Sequence, residues 1–201
     1  MGARGTRFDD WPAMSARTPA TIRLEAMSET DFEDSLKRGI PMLAAELVRC
    51  GLATEELSLE ASRAEFSDLL PQGLKTPGHH FRNIFDEGIG SRVGETWFTV
   101  KERDGKIHFW IDWIWIDPKR RRRGFATATL RTLEQEARKL GAERTGLSVR
   151  TDEPDALALY SKLGYSTEAM RMTRLLDQIP PRSSGPDVCE ETPVRSMTGP
   201  R

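Results

Sequence analysis

Two hydrophobic periods alternate along this chain. From Ala126 the apolar positions Leu130, Leu133, Ala137 and Leu140 follow at steps of four, three, four and three, and Gly141 stands where such a helix needs a cap. Residues 92–101 alternate instead, with Val93, Trp97 and Phe98, and Val100, and residues 107–116 form a second strand-like apolar run. Arg103-Asp104-Gly105-Lys106 lies between them as a hairpin signal, so these strands are expected to be antiparallel. Residues 21–24 and 81–85 are shorter strand candidates, the latter followed by Asp86, Gly88 and Gly90. Residues 145–149 predict a further strand. Pro154 opens a helix that runs through Leu163 and closes at Gly164, and residues 165–175 read as one or two last strands. Nearer the N-terminus three helices are predicted. One begins near Glu29, with Ser28 and Asp31 as capping residues. A second covers 42–49, with Pro41 in its first turn and Gly51 at its end. A third covers 54–70, with Leu57, Ala61, Ala64 and Leu69 as its apolar face and Pro71 and Gly73 as its stop.

Hairpins at the ends and a β-α-β-α unit in the middle predict an α+β fold, with mixed strand directions and one layer of sheet covered by helices. Residues 1–20 are polar, with Gly, Pro and scattered charge, and are expected to be a disordered leader. Residues 178–201 contain Ile-Pro-Pro-Arg-Ser-Ser-Gly-Pro and no hydrophobic period, and are expected to be a disordered tail. That leaves one folded domain over 21–177, within a 201-residue chain long enough for a real core. The formal net charge of −1 argues against nucleic acid or an acidic membrane as partner. No apolar run approaches the ~20 residues of a membrane span, and residues 1–19 lack a signal-peptide core. Of the two cysteines, Cys50 ends a helical pattern and Cys189 lies in the tail, so a reducing, cytoplasmic setting is expected.

The densest chemistry lies between the strand 107–116 and the helix after Gly124. The strand ends in Ile114-Trp115-Ile116-Asp117-Pro118, a basic loop follows, and Arg121-Arg122-Arg123-Gly124-Phe125-Ala126 fits Arg-x-x-Gly-x-Ala. Gly124 lets the backbone approach a ligand without a Cβ, and Ala126 keeps the first helical turn small. Backbone N–H groups from Arg122 to Thr127 are then placed to meet an anion, helped by the helix dipole. A Walker A loop is excluded because no Gly-Lys-Ser/Thr follows, and a dinucleotide-binding unit fits poorly because the preceding strands form a hairpin. The bland alternatives for the run 119–123 are a solvated charge cluster or a nucleic-acid patch.

A second constellation runs from Glu153-Pro154-Asp155-Ala156 to Leu159-Tyr160-Ser161-Lys162-Leu163-Gly164-Tyr165. Tyr160 lies near the end of its helix, where a phenol of pKa about 10 stays protonated at neutral pH and can hand a proton to a leaving thiolate. Its position alone favours core packing beside Ala156 and Leu163, a role that needs no chemistry.

Taken together, the two stretches resemble the GNAT superfamily of acetyl-CoA-dependent N-acetyltransferases. Ile114 to Pro118 with Arg121-x-x-Gly124-x-Ala126 matches the family's cofactor motif, and Ala156 through Tyr165 matches its later motif. The resemblance implies a central mixed, mostly antiparallel twisted sheet flanked by helices. It also implies acetyl-CoA as acyl donor, with no metal. The strands 111–116 and 145–149 would splay apart, and the pantetheine arm would pair with backbone at Ile114, Trp115 and Ile116. Arg121, Arg122, Arg123, Gly124, Phe125, Ala126 and Thr127 would hold the phosphates, and Tyr160 would be the general acid. Glu153 departs from the Asn that many relatives carry at the cofactor-binding position opening the second motif, and a carboxylate cannot donate the amide's hydrogen bond.

An acceptor amine must lose a proton before attacking a thioester. Asp112 is the best candidate base, since many relatives place an acidic residue on this strand; a solvent-facing or ion-paired structural role is the competing account. Glu95, His79, His80 and His108 are weaker candidates, and no spacing of His, Cys or carboxylates suggests a metal site. Strict alternation sends Trp113 and Trp115 to one face of the strand and Asp112 and Ile114 to the other. Trp97, Trp110, Trp113 and Trp115 are divided between core and an acceptor pocket. The acceptor's identity, a small amine or a peptide N-terminus, is not written in the sequence. A homodimer is compatible with the resemblance, but no residue specifies it. The expected activity is acetyl transfer to an amine by direct attack in a ternary complex. The competing function is a non-catalytic acyl-CoA-binding regulatory module.

Overall fold

The structure, a computed structural model, describes residues 20–170 and 172. The chain up to Tyr165 forms one unit, and the residues from Ser166 onward belong to a second. The expected leader, apart from Ala20, and the expected tail lie outside the described residues. The first unit is an α+β fold. Its elements run β1 (Ile22–Ala26), α1 (Glu29–Arg49), α2 (Glu55–Leu69), β2 (His79–Asp86), β3 (Ser91–Arg103), β4 (Lys106–Ile116), α3 (Phe125–Lys139), β5 (Thr145–Leu147) and α4 (Pro154–Lys162). The strands lie side by side in chain order, antiparallel throughout except for the parallel pair β4 and β5. A parallel pair needs a crossover, and α3 supplies it.

Three expectations are corrected. Pro41 does not start a second helix; it sits inside one 21-residue helix, α1. Its ring removes one backbone donor there, but the Ser28 capping box, with Asp31 N–H to Ser28 Oγ and Ser28 N–H to Asp31 Oδ2 both at 3.1 Å, starts the helix well upstream. In α2 the apolar face is not the buried one. Leu57 and Leu69 are exposed, while Ser58 and Ser62 are buried. The small serines let α2 approach α1 closely, and Ser62 Oγ donates to the Ile40 carbonyl at 2.8 Å. Finally, of the expected last strands over 165–175, the described residues 165–170 and 172 hold no strand, and the rest lie outside the described set.

The sheet separates two apolar layers. On one face α3 buries Leu130, Leu133 and Ala137 against Phe98, Phe109 and Ile111, with Ile114, Leu159 and Tyr160 packed on the same cluster. On the other face Phe32 of α1 and Phe66 of α2 pack with Met27, Leu70, Phe81 and Trp97. A third cluster joins Ile84, Val93 and Ile116 to Phe125, which anchors the start of α3 beneath the end of β4.

Candidate active site

The loop between β4 and α3 adopts the backbone that its glycine permits. Asp117 accepts from Lys119 N–H at 2.9 Å and caps a short 3-10 turn, Pro118–Arg120. Arg122 and Gly124 then both take positive φ, 60° and 89°. Gly124 is the N-cap of α3 and has no side chain to bond the helix's leading amides. The first intrahelical bond in this turn is Ala128 N–H to the Gly124 carbonyl at 2.9 Å, so the amides of Phe125, Ala126 and Thr127 precede the ladder. Left-handed residues flanking a helix start turn successive N–H groups inward, as an anion site requires. Arg121, Arg122 and Arg123 are exposed around it. The Arg121 side chain turns back, and its Nε donates to the Ile116 carbonyl at 3.1 Å. That carbonyl, expected to meet a pantetheine arm, therefore already has a donor. Arg122 Nη1 lies 3.2 Å from Asp155 Oδ2 and joins the loop to the first turn of α4. Both side chains are more than four-fifths exposed, so this pair contributes at most about 1 kcal/mol and yields readily to a phosphate.

Beside this helix start the sheet opens. β5 pairs with β4 only at Phe109↔Thr145, Trp110↔Gly146 and Ile111↔Leu147, whereas β4 continues to Ile116. The backbone of Ile114, Trp115 and Ile116 thus lies beyond the last β5 rung. The expected strand 145–149 is shorter, Thr145–Leu147. Gly146 lies so close to the Trp110 ring that a Cβ there would sit 2.3 Å from it; the indole packs against the last rungs of the ladder.

Asp112 sits where the opening begins. Trp97 pairs with Trp113 and Phe98 with Ile111, which leaves Asp112 as the extra residue of a β-bulge. The bulge corrects the expected alternation. Asp112 shares a face with Thr99 and Trp97, and Trp113 and Trp115 lie on that face too, opposite Trp97 and Glu95, while Ile114 goes to the α3 face. The Thr99 hydroxyl donates to Asp112 Oδ2 at 2.6 Å. Asp112 is accessible to water, but the protein packed around it withdraws part of its hydration. That desolvation raises its pKa to about 6, against the Thr99 hydrogen bond and the Lys101 charge, which both favour the ionised form.

On the other side of the strand, Tyr160 packs on the cluster that holds Ile111 and Ile114, its ring edge-on to Tyr165 at 5.9 Å. Burial, then Glu153 and Tyr165, push its pKa above the usual tyrosine value, so the phenol keeps its proton at neutral pH. Packing and proton donation are therefore compatible roles. Glu153 is the N-cap of α4 and makes no side-chain cap bond; its Oε1 lies 3.7 Å from Arg150 Nε.

Two of the weaker candidates for the base have their polar atoms engaged within the fold. Glu95 is completely buried, and Ser35, Arg38 and Arg92 all donate to its carboxylate. Arg92 also reaches Asp31 at 2.8 Å, so the cluster ties α1 to the sheet. His79 Nδ1 accepts from the Trp97 indole at 3.1 Å. Two features of the site are missing from the sequence reading. One is Thr99, whose threonine in an alternating strand carries no signal. The other is Arg150, whose Nη1 bonds Glu46 near the end of α1 at 2.9 Å and whose Nε bonds Asp152 at 2.8 Å, clasping the β5–α4 connection to α1. Cys50, just past the end of α1, is half-buried and donates its thiol to Glu46 at 3.3 Å. Among the described residues no group of His, Cys, Asp and Glu could hold a metal ion, and no helix is long and apolar enough to cross a membrane.

The family model for the acetyltransferase (GNAT) family matches residues 49–165, which include the β4–α3 loop, the bulge and α4. The chain is a member of the GNAT acetyltransferase family. It is 31% identical over 153 residues to the uncharacterized N-acetyltransferase YdgE of Bacillus subtilis, covering 76% of this chain and 97% of that one. It is 30% identical over 159 residues to the uncharacterized N-acetyltransferase YycN of the same organism, covering 78% and 99%. The crystal structure of YycN superimposes with a TM-score of 0.71 at 28% identity, again over 78% of this chain and 99% of that one. As a GNAT member the chain is an acyltransferase, and the β4–β5 opening with the α3 N-terminus is its candidate active site.

Proposed function

We propose that this GNAT protein is an acetyl-CoA-dependent N-acetyltransferase that acts on an amine, a small molecule or a peptide N-terminus, by direct attack in a ternary complex. The observation that carries the proposal is the pairing of a helix start uncapped by any side chain, at Gly124, with a sheet whose β4–β5 ladder ends at Ile111. The residues fit the donor. The leading amides of Phe125, Ala126 and Thr127 would hold a diphosphate, Arg122 and Arg123 would add positive charge, and the backbone of Ile114 and Trp115, beyond the last β5 rung, would take a pantetheine arm. Acetyl-CoA, when bound, supplies an acetyl group activated as a thioester. Asp112 takes the proton that the amine sheds as its C–N bond forms, and its raised pKa makes it a stronger base than an ordinary carboxylate. Tyr160 gives its hydroxyl proton to the departing sulfur. Neither role needs a covalent enzyme intermediate, and placing the two reactants together supplies much of the acceleration. In this account the arginine loop serves the cofactor and not nucleic acid or a membrane, in keeping with the net charge of −1, and the low cysteine count supports work in the cytoplasm.

One observation favours a second function, a non-catalytic acyl-CoA-binding module. Glu153 occupies the family's Asn position and is directed to Arg150. Free thiol release from acetyl-CoA, measured across a panel of amines, separates the two. Release with at least one amine supports the enzyme; tight CoA binding with no release for any amine supports the module.

A further inference from the structure

Asp112 does not hold its orientation unaided. The Thr99 hydroxyl donates to Asp112 Oδ2 at 2.6 Å, although a second acceptor, His79 Nδ1, stands 3.4 Å from the Thr99 oxygen. The Trp97 indole N–H reaches that nitrogen at 3.1 Å. An imidazole nitrogen offers one in-plane lone pair. With that lone pair taken by Trp97, the Thr99 proton is directed to the Asp112 carboxylate. We propose that Thr99 is the positioning residue of the acid–base centre: kept in one hydroxyl orientation by the Trp97–His79 pair, it clamps Oδ2 of Asp112 in the bulge and leaves Oδ1 for the acceptor amine. The inference rests on Asp112 being the base.

The surroundings support the assignment. Thr99 is buried in the middle of β3, directly opposite Trp110, so its side chain has little freedom to turn elsewhere. Lys101, two residues along β3 from Thr99, places its charge near Asp112, and His79 of β2 stands beside the Thr99 hydroxyl. Burial, with Lys101 and His80 nearby, lowers the His79 pKa and keeps its ring neutral, as acceptance from the indole requires. A donor to the ionised carboxylate favours ionisation, so Thr99 also limits how far burial can raise Asp112.

The test is a carbon-13 titration of the aspartate carboxyls, with the Asp112 signal assigned by its loss in Asp112→Asn. In Thr99→Val, which keeps the shape and loses the donor, the Asp112 midpoint is expected to rise by about one pH unit, the size of a lost charge-assisted hydrogen bond. Thr99→Ser, which keeps the donor, is expected to stay at the wild-type midpoint, and the acidic limb of kcat/KM should move with the midpoint in each variant. Thr99→Ala gives the same direction of shift and serves if the valine variant does not fold. A midpoint unmoved in both Thr99→Val and Thr99→Ala overturns the inference. Full thiol release by Asp112→Asn overturns the underlying assignment of the base instead, and the two failures are distinct because the titration is read without substrate.

Discussion

Tyr160 shows how little a residue's surroundings commit it to one role. It is packed among apolar neighbours, yet the burial that makes it a core residue also holds its proton. Tyr160→Phe keeps the packing and removes only the hydroxyl. We expect kcat to fall by roughly 10²-fold, the lower end for a general acid, with CoA affinity unchanged; an unaltered kcat would leave Tyr160 a packing residue. Asp112 bears a stability cost for its chemistry. Its folded-state pKa of about 6 exceeds the ordinary aspartate value of 3.8. The folded protein therefore binds the proton more tightly between those values, and stability is lost as pH rises through that window. Asp112→Asn, still able to accept from Thr99, is expected to melt at a higher temperature than the wild type at pH 8. That advantage should shrink toward pH 4, and a pH-independent difference in Tm would contradict the linkage.

Elements are held to one another here by polar clusters as much as by apolar faces. α1 docks on the sheet through Glu95, a fully buried carboxylate shared by Arg38 and Arg92, and Arg38 also lies over the Trp115 ring at 5.0 Å. Removing a buried partner strands the opposing charges. Glu95→Ala is expected to cost about 3 kcal/mol in urea unfolding, with α1 losing amide protection before the rest of the sheet. A change below about 0.5 kcal/mol would mean that Phe32 and the other apolar contacts of α1 suffice. At its far end the same helix meets the β5–α4 connection through Glu46 and Arg150. α1 thus spans from the buried carboxylate to the segment that carries Glu153.

For the whole molecule, the decisive question is whether the open edge of β4 and the start of α3 act as one ligand site. Ligand that binds only the folded state adds stability by mass action. CoA at 100 times its Kd should stabilise the protein by about 2.7 kcal/mol, seen as a rise of several degrees in Tm. Gly124→Val should lower the basal Tm, because valine is strained at φ 89°, and should abolish the CoA-induced rise. A full CoA-induced rise in that variant would place the cofactor elsewhere. YycN, matched over 99% of its length, offers the same measurement on a relative.

Local chemistry made much of this legible from the sequence. The Ser28 cap, the hairpin at Asp104-Gly105, the period of α3 and the Gly124 turn each depend on residues within a few positions of one another, so the chain determines them before it folds. The α+β class and the two GNAT motifs follow from the same local signals. Tertiary structure decided what depends on distant partners. It merged two predicted helices across Pro41, buried the serines of α2 instead of its leucines, and moved Asp112 to the face of Trp113 through a bulge whose register β3 imposes. Thr99, Glu95 and Arg150 acquire their roles only when β3, β4 and α1 come together. A side chain's periodicity records which face it prefers, whereas its hydrogen-bond partner is chosen by the strand or helix that arrives opposite it.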